Sequence, residues 1–218
     1  MSFQQLWLSE WSHLLQFIKR PNDPLTGPIY SQMEKVRRLS FILVLGLVSG
    51  MFLIFLSQAL TTYLQIDRGK HEIDKLLDNK ALLVFSLVII APLIEEVIFR
   101  IWIKFKAAYF FLWICIDGYK KITGKSQFAS MKVIRSVWNY IYPAIFYLSA
   151  IAFALVHAFN FESIAQMWWF APILTLPQFV LGCTFGYARV NYGLIYGMGL
   201  HASHNAVLAS IIIFGVPA

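Results

Sequence analysis

The sequence predicts an all-α fold: a polytopic integral membrane helix bundle of five to seven transmembrane helices, with an amphipathic helix at its N-terminus. Two observations carry that prediction. Of 218 residues, 59% are hydrophobic and only 13% are charged, against about 25% charged in soluble domains, so polar surface is too scarce to coat a soluble core. The apolar residues also gather in runs long enough to cross a hydrocarbon layer of about 30 Å. The counts of Gly (12), Pro (8) and Cys (2) exclude a collagen-like fibre and a disulfide scaffold, and the hydrophobic content excludes disorder. Cys115 and Cys183 lie in apolar stretches and are expected as buried thiols.

Residues 1–38 form an N-terminal segment, and 39–218 a transmembrane domain whose motifs fall within 81–210. Phe3, Trp7, Trp11, Leu14, Leu15 and Ile18 make one helical stripe, the mark of a helix lying in the membrane interface. Pro21, Pro24, Gly27 and Pro28 then break the chain into a loop. Leu39 to Leu64 is the first span. Asp67 to Lys80 mixes acidic and basic residues and is expected as a solvated loop. Ala81 to Ile116 is too long for one simple crossing; it either continues past the bilayer or breaks near Lys104–Lys106, and whether 107–116 crosses alone is open. Gly118 to Arg135 is polar and basic. Val137 to His157, Met167 to Ala188 and Tyr192 to Phe214 are three further spans. Trp138, Tyr140, Tyr142, Trp168 and Trp169 sit near span ends, as interfacial anchors do.

The formal charge of +7 is read as topology. A cytoplasmic N-terminus puts 14 of the 18 Lys and Arg inside, and only Arg68, Lys70, Lys75 and Lys80 outside, as the positive-inside rule favours. The partners implied are membrane lipid and a membrane-anchored peptide or protein. Nucleic acid is not expected, because no basic stripe interleaved with exposed aromatics occurs.

Glu95 and Glu96 lie in the apolar run Pro92-Leu-Ile-Glu-Glu-Val-Ile-Phe-Arg100. A carboxylate at bilayer depth is costly and marks function by default. Consecutive helix positions point about 100° apart, so the two acids diverge. Glu96 and Arg100, four apart, share a face and are placed to pair, which leaves Glu95 alone. His157 ends Phe153-Ala-Leu-Val-His157, and His201 and Asn205 are again four apart, with His204 placed to rim the same cavity. Gly182, Gly186 and the small residues around His201 let helices approach closely. Buried polar groups must find each other or water, so three helices bearing them should converge on one wet cavity. A carboxylate beside an imidazole can take a proton from water, and a second imidazole with an amide can stabilise an oxyanion. G-x-S-x-G and H-E-x-x-H are both absent. Two Glu and two or three His could hold a divalent metal, but Asn205 and Arg100 suit one poorly, so no metal or other cofactor is expected.

The ordered set E-E-x-x-x-R (Glu95–Arg100), F-x-x-x-H (Phe153–His157) and H-x-x-x-N (His201–Asn205) resembles the CAAX-protease and bacteriocin-processing family of intramembrane glutamate endopeptidases, also called the CPBP intramembrane metalloprotease family. The stretch Phe179 to Leu194 leading into His201 is similar to that family's penultimate helix junction. The resemblance implies a cavity open toward the cytosol and catalytic roles for Glu95, His157, His201 and Asn205. It implies that Glu95 and His157 activate water, that His201 and Asn205 bind the oxyanion, and that Glu96 and Arg100 hold the helix geometry. This chain departs from the family in having Ile101 where Gly usually follows the Arg.

The function expected is therefore an intramembrane endopeptidase acting on a membrane-tethered substrate, prenylated or not. A different class is a non-proteolytic membrane scaffold or complex partner that keeps the same residues as a structural polar network. A third is a carrier with a Glu95–His157 proton relay; internal inverted repeats would favour it, and none is found.

Overall fold

A computed structural model describes residues 3–24, 28–123 and 131–215, apart from the side chains of 115–123. Gly27 and Lys125 fall outside the described residues, as do the side chains of Cys115, Lys120 and Lys121. Every named element among the described residues is helical: α1 (Phe3–Lys19), α2 (Gln32–Tyr63), α3 (Lys80–Phe85), α4 (Ala91–Arg100), α5 (Phe105–Thr123), α6 (Met131–Val156), α7 (Ala171–Leu174), α8 (Leu176–Tyr192) and α9 (Leu194–Gly215), with a few short turns of tighter or wider helix. α3 and α4 form one rod, joined through a wider π-helical turn at Ser86–Ile90.

Among the described residues, four helices are long and apolar enough to span a bilayer: α2, the Lys80–Arg100 rod, α6 with its tail to Asn160, and α9. The pair Trp168–Leu174 and Leu176–Tyr192, bent by 49°, makes a fifth. The chain is a polytopic all-α bundle at the lower end of the expected range. The undecided stretch after Ala81 breaks at 101–104. α5 restarts at Phe105, whose backbone N–H donates to Asp23 Oδ2 at 2.7 Å, while Lys104 Nζ lies 2.6 Å from Oδ1 of the same carboxylate. Among its described side chains, α5 has a shorter apolar stretch at Phe105–Ile114, about 15 Å of helix. Ile101 adopts φ −63° and ψ −37°, ordinary right-handed backbone, so this position requires no glycine.

α8 is the central helix, packed against α6, α2 and α9 and buried without interruption from Leu181 to Ala188. Two glycines bring it close to α6. A Cβ on Gly182 would meet the Ala150 carbonyl and Phe153 ring at 3.2 Å, and one on Gly186 would lie 2.8 Å from the Phe146 ring.

One sequence expectation is corrected and one is extended. α1 buries Leu6, Glu10, Leu14 and Phe17, and leaves Trp11 and Leu15 exposed. The exposed residues stay free to face the membrane interface, while Glu10, outside the expected stripe, is drawn inward. Its carboxylate, fully buried, accepts from Arg38 Nη1 at 2.8 Å, Tyr187 Oη at 2.7 Å and Tyr192 Oη at 2.6 Å. Tyr142 is a core residue rather than an interfacial anchor; it is fully buried and donates to the Ile103 carbonyl at 3.0 Å. Trp138 gives its Nε1–H to Asp23, while Tyr140, Trp168 and Trp169 are exposed. The 64–79 connection is not featureless either. His71 caps a short 3-10 turn at Glu72–Leu76 and bridges to Phe161.

Candidate active site

α4 carries the two acids at its midpoint. Local sequence shapes the rod above them. Pro92 has no N–H, and Ala91 N–H reaches back five residues to the Ser86 carbonyl. The Leu87 carbonyl, which would accept from residue 91 or 92, is therefore left without a backbone donor. Asn205 of α9 fills the vacancy: its Nδ2 donates to Leu87 O at 2.9 Å. Wider helical turns of this kind recur where side chains insert into the backbone ladder. An amide nitrogen carries two hydrogens, so one remains. His204, buried beside α2, lies with Nδ1 3.4 Å from Asn205 Oδ1, which fixes which end of the amide points where.

The α4 acids face different ways, and both face histidines. Glu96 is fully buried, with Oε1 3.2 Å from His201 Nδ1. Glu95 is partly exposed; its Oε2 lies 3.7 Å from His201 Nε2 and 4.0 Å from His157 Nε2. The expected Glu96–Arg100 ion pair does not form. Among the described residues Arg100 has no carboxylate within ion-pair distance, and its guanidinium sits 4.5 Å over the Phe153 ring with Nη1 3.5 Å from Ser149 Oγ. Arg100 also offers its own carbonyl to Arg189 Nε at 3.2 Å. His201 outcompetes Arg100 because it approaches Glu96 from a neighbouring helix, where reach is not limited by the i,i+4 geometry.

His157 stands at the C-terminal end of α6, where Nδ1 lies 2.7 Å from the Phe153 carbonyl. A carbonyl only accepts, so Nδ1 carries the proton and Nε2 presents a lone pair toward Glu95. The 4.0 Å separation is one that a water at about 2.8 Å from each atom would bridge. Phe153 packs this assembly: its ring is 4.7 Å from His157 and 5.8 Å, edge-on, from His201. Phe185 stacks on His201 at 4.3 Å and 21°. Phe185, Ser149 and the Leu87 carbonyl were not anticipated; the Gly182–Gly186 flank and the Pro92 in an apolar helix were the available signals.

Glu95, Glu96, His157, His201 and Phe153 therefore form one contiguous cluster, and Asn205 with His204 lies one turn further along α9, bonded to the rod. Among the described residues no three His, Cys, Asp or Glu side chains come together as a metal-binding group. The chemistry available is proton transfer between carboxylate, imidazole and water, beside N–H donors.

A family model for type II CAAX prenyl endopeptidases, Rce1-like, matches residues 77–207, more than half of the chain. No curated protein and no solved structure gives a match. The matched span contains all three motif helices, from Glu95 on the rod to Asn205 on α9, and this integral membrane protein belongs to the Rce1-like type II CAAX prenyl endopeptidase family.

Proposed function

We propose that this protein is an intramembrane endopeptidase that hydrolyses a peptide bond in a membrane-tethered substrate, by attack of water activated between Glu95 and His157. The observation that carries the proposal is the convergence of Glu95 Oε2 with His157 Nε2, held as a lone pair by the Nδ1 contact to Phe153 O. Water gives a proton to this pair as its oxygen bonds to the scissile carbonyl carbon. The resulting oxyanion is stabilised by His201 Nε2–H and the second Asn205 amide hydrogen. The tetrahedral intermediate then breaks its C–N bond, and the stored proton passes to the leaving amine. His201 performs this role when both nitrogens are protonated, with Nδ1–H on Glu96. Glu96, Arg100 and Phe153 hold the helices around it, and His204 orients Asn205. The water is activated by side chains alone. The N-terminus lies on the cytosolic side, where the basic residues gather.

The test is cleavage of a membrane-anchored reporter by the full chain in proteoliposomes, with prenylated and unprenylated versions compared. Glu95→Gln and His157→Ala should each lower the rate about 10²–10⁴-fold with thermal unfolding unchanged. Unaltered cleavage by well-folded Glu95→Gln sinks the proposal in favour of a structural polar network.

A further inference from the structure

A second polar site lies at the end of the bundle where the starts of α2, α5 and α6 meet the C-terminal end of α8. It is a cavity of about 310 Å³ lined by Asp23, Lys35, Lys104, Lys106, Arg135 and Arg189, with Gly193 and backbone between them. One carboxylate faces five cations, and that carboxylate is fully engaged. Asp23 sits 2.6 Å from Lys104 Nζ and accepts from Phe105 N–H, Trp138 Nε1 and Arg135 Nη1. Lys35, Lys106 and Arg189 therefore have no carboxylate partner among the described residues. Lys35 Nζ rests 4.9 Å over the Tyr196 ring, and Arg189 uses only Nε, on the Arg100 carbonyl. All three line one half-enclosed space.

We propose that this cavity binds a phosphate-bearing anion. Concentrating like charge in a concave, low-dielectric wall costs stability unless an anion occupies it. A tetrahedral phosphate, with several acceptor oxygens, meets a planar guanidinium and two ammonium donors better than a single carboxylate does. The cavity lies at helix ends, among the basic residues that the positive-inside rule assigns to the side of the anionic leaflet. Two sources share this chemistry: the headgroup of an anionic phospholipid and a soluble phosphate ester. Occupancy should stabilise the fold, because Arg189 also packs on α9. A Cβ at Gly197 would lie 3.6 Å from the Arg189 backbone and 3.4 Å from Glu96 Oε2.

The experiment is thermal unfolding of the full chain in neutral detergent at fixed ionic strength, titrated separately with dioleoyl phosphatidylglycerol, glycerol phosphate, dioleoylglycerol and acetate. Phosphatidylglycerol should raise the melting temperature, and the Lys35→Gln/Lys106→Gln double variant should need at least tenfold more lipid for half the effect. Both lysines lie outside the catalytic cluster. A shift with phosphatidylglycerol alone identifies a lipid site; a shift with glycerol phosphate as well identifies a soluble ester; either supports the proposal. No shift with either phosphate species overturns it. So does an equal shift with dioleoylglycerol or acetate, or an undiminished response in the double variant.

Discussion

Asn205 donates its side-chain amide to the Leu87 carbonyl at 2.9 Å, across the gap between α9 and a rod in which Pro92 has removed the competing backbone donor. The contact depends on the proline. In Pro92→Ala an N–H returns at position 92, Val88 regains its partner four residues on, and Ala91 is free to satisfy Leu87. Asn205 is then displaced. Stability should hold or rise, since Pro inside a helix is about 3 kcal/mol less favourable than Ala. Reporter cleavage should fall toward the level of Asn205→Ala, and the double variant should be no worse than either single one. Full activity in Pro92→Ala beside an inactive Asn205→Ala would show that the Leu87 contact positions nothing.

The glycines on α8 and α9 are not equivalent, although sequence alone marks them alike. A methyl on Gly186 would strike the Phe146 ring at 2.8 Å, and one on Gly199 meets nothing within 4 Å. Gly186→Ala should therefore destabilise by about 1–3 kcal/mol through overpacking. The displaced α6 carries Phe153 and His157 with it, so cleavage should also fall. Gly199→Ala should leave both quantities unchanged or slightly raise stability. Differential scanning of the two purified variants decides; equal melting temperatures would remove the close-packing account of α6 and α8.

What was legible in the sequence was set by range. The spans show because a bilayer demands about 20 consecutive apolar residues, a one-dimensional signal. Glu95 and Glu96 stand out because charge within such a run is rare. Partners across helices are not written in any spacing. Glu96 and Arg100 have the i,i+4 separation of a pair, yet Glu96 meets His201 from α9. Glu10 looks like the polar face of an amphipathic helix, and only its meeting with Arg38, Tyr187 and Tyr192, up to 182 residues away, makes it interior. The break before α5 was undecidable because Lys104 and Lys106 suit either outcome; the capping carboxylate comes from Asp23, 82 residues earlier.

The 64–79 loop should respond to acid through His71. Burial holds this imidazole below its ordinary value, aided by His157 and Arg68 and opposed by Asp74 and Glu72. Its Nδ1 accepts from Ile73 N–H at 3.2 Å, which requires a bare nitrogen. The folded form thus binds its proton less readily than the unfolded form. The cap's contribution is complete above about pH 6.5 and is lost progressively as pH falls below that value. Hydrogen-exchange protection at 72–76, taken relative to the base-catalysed intrinsic rate at each pH, should fall between pH 7 and pH 5. In His71→Asn, which caps without titrating, the protection should stay flat; a parallel loss in that variant would assign the effect to another group.

Glu10 joins α1 to α2 and α8 through one buried carboxylate, and removing it alone should be costly. Glu10→Ala leaves Arg38, itself buried, with Glu34 at 2.9 Å as its one remaining carboxylate among the described residues, beside Ser9 Oγ at 3.2 Å, and strands two tyrosine hydroxyls. Breaking a buried pair from one side costs about 3–5 kcal/mol, whereas replacing both members by apolar groups of similar volume is often neutral. Glu10→Ala should therefore lower the melting temperature and expose α1 to protease. Glu10→Met combined with Arg38→Met should recover much of the loss. A double variant as unstable as the single one would show that the tyrosines, rather than the ion pair, hold α1 in place. In either case Leu14 and Phe17, packed into the main core, set how far α1 can detach once its charge is gone.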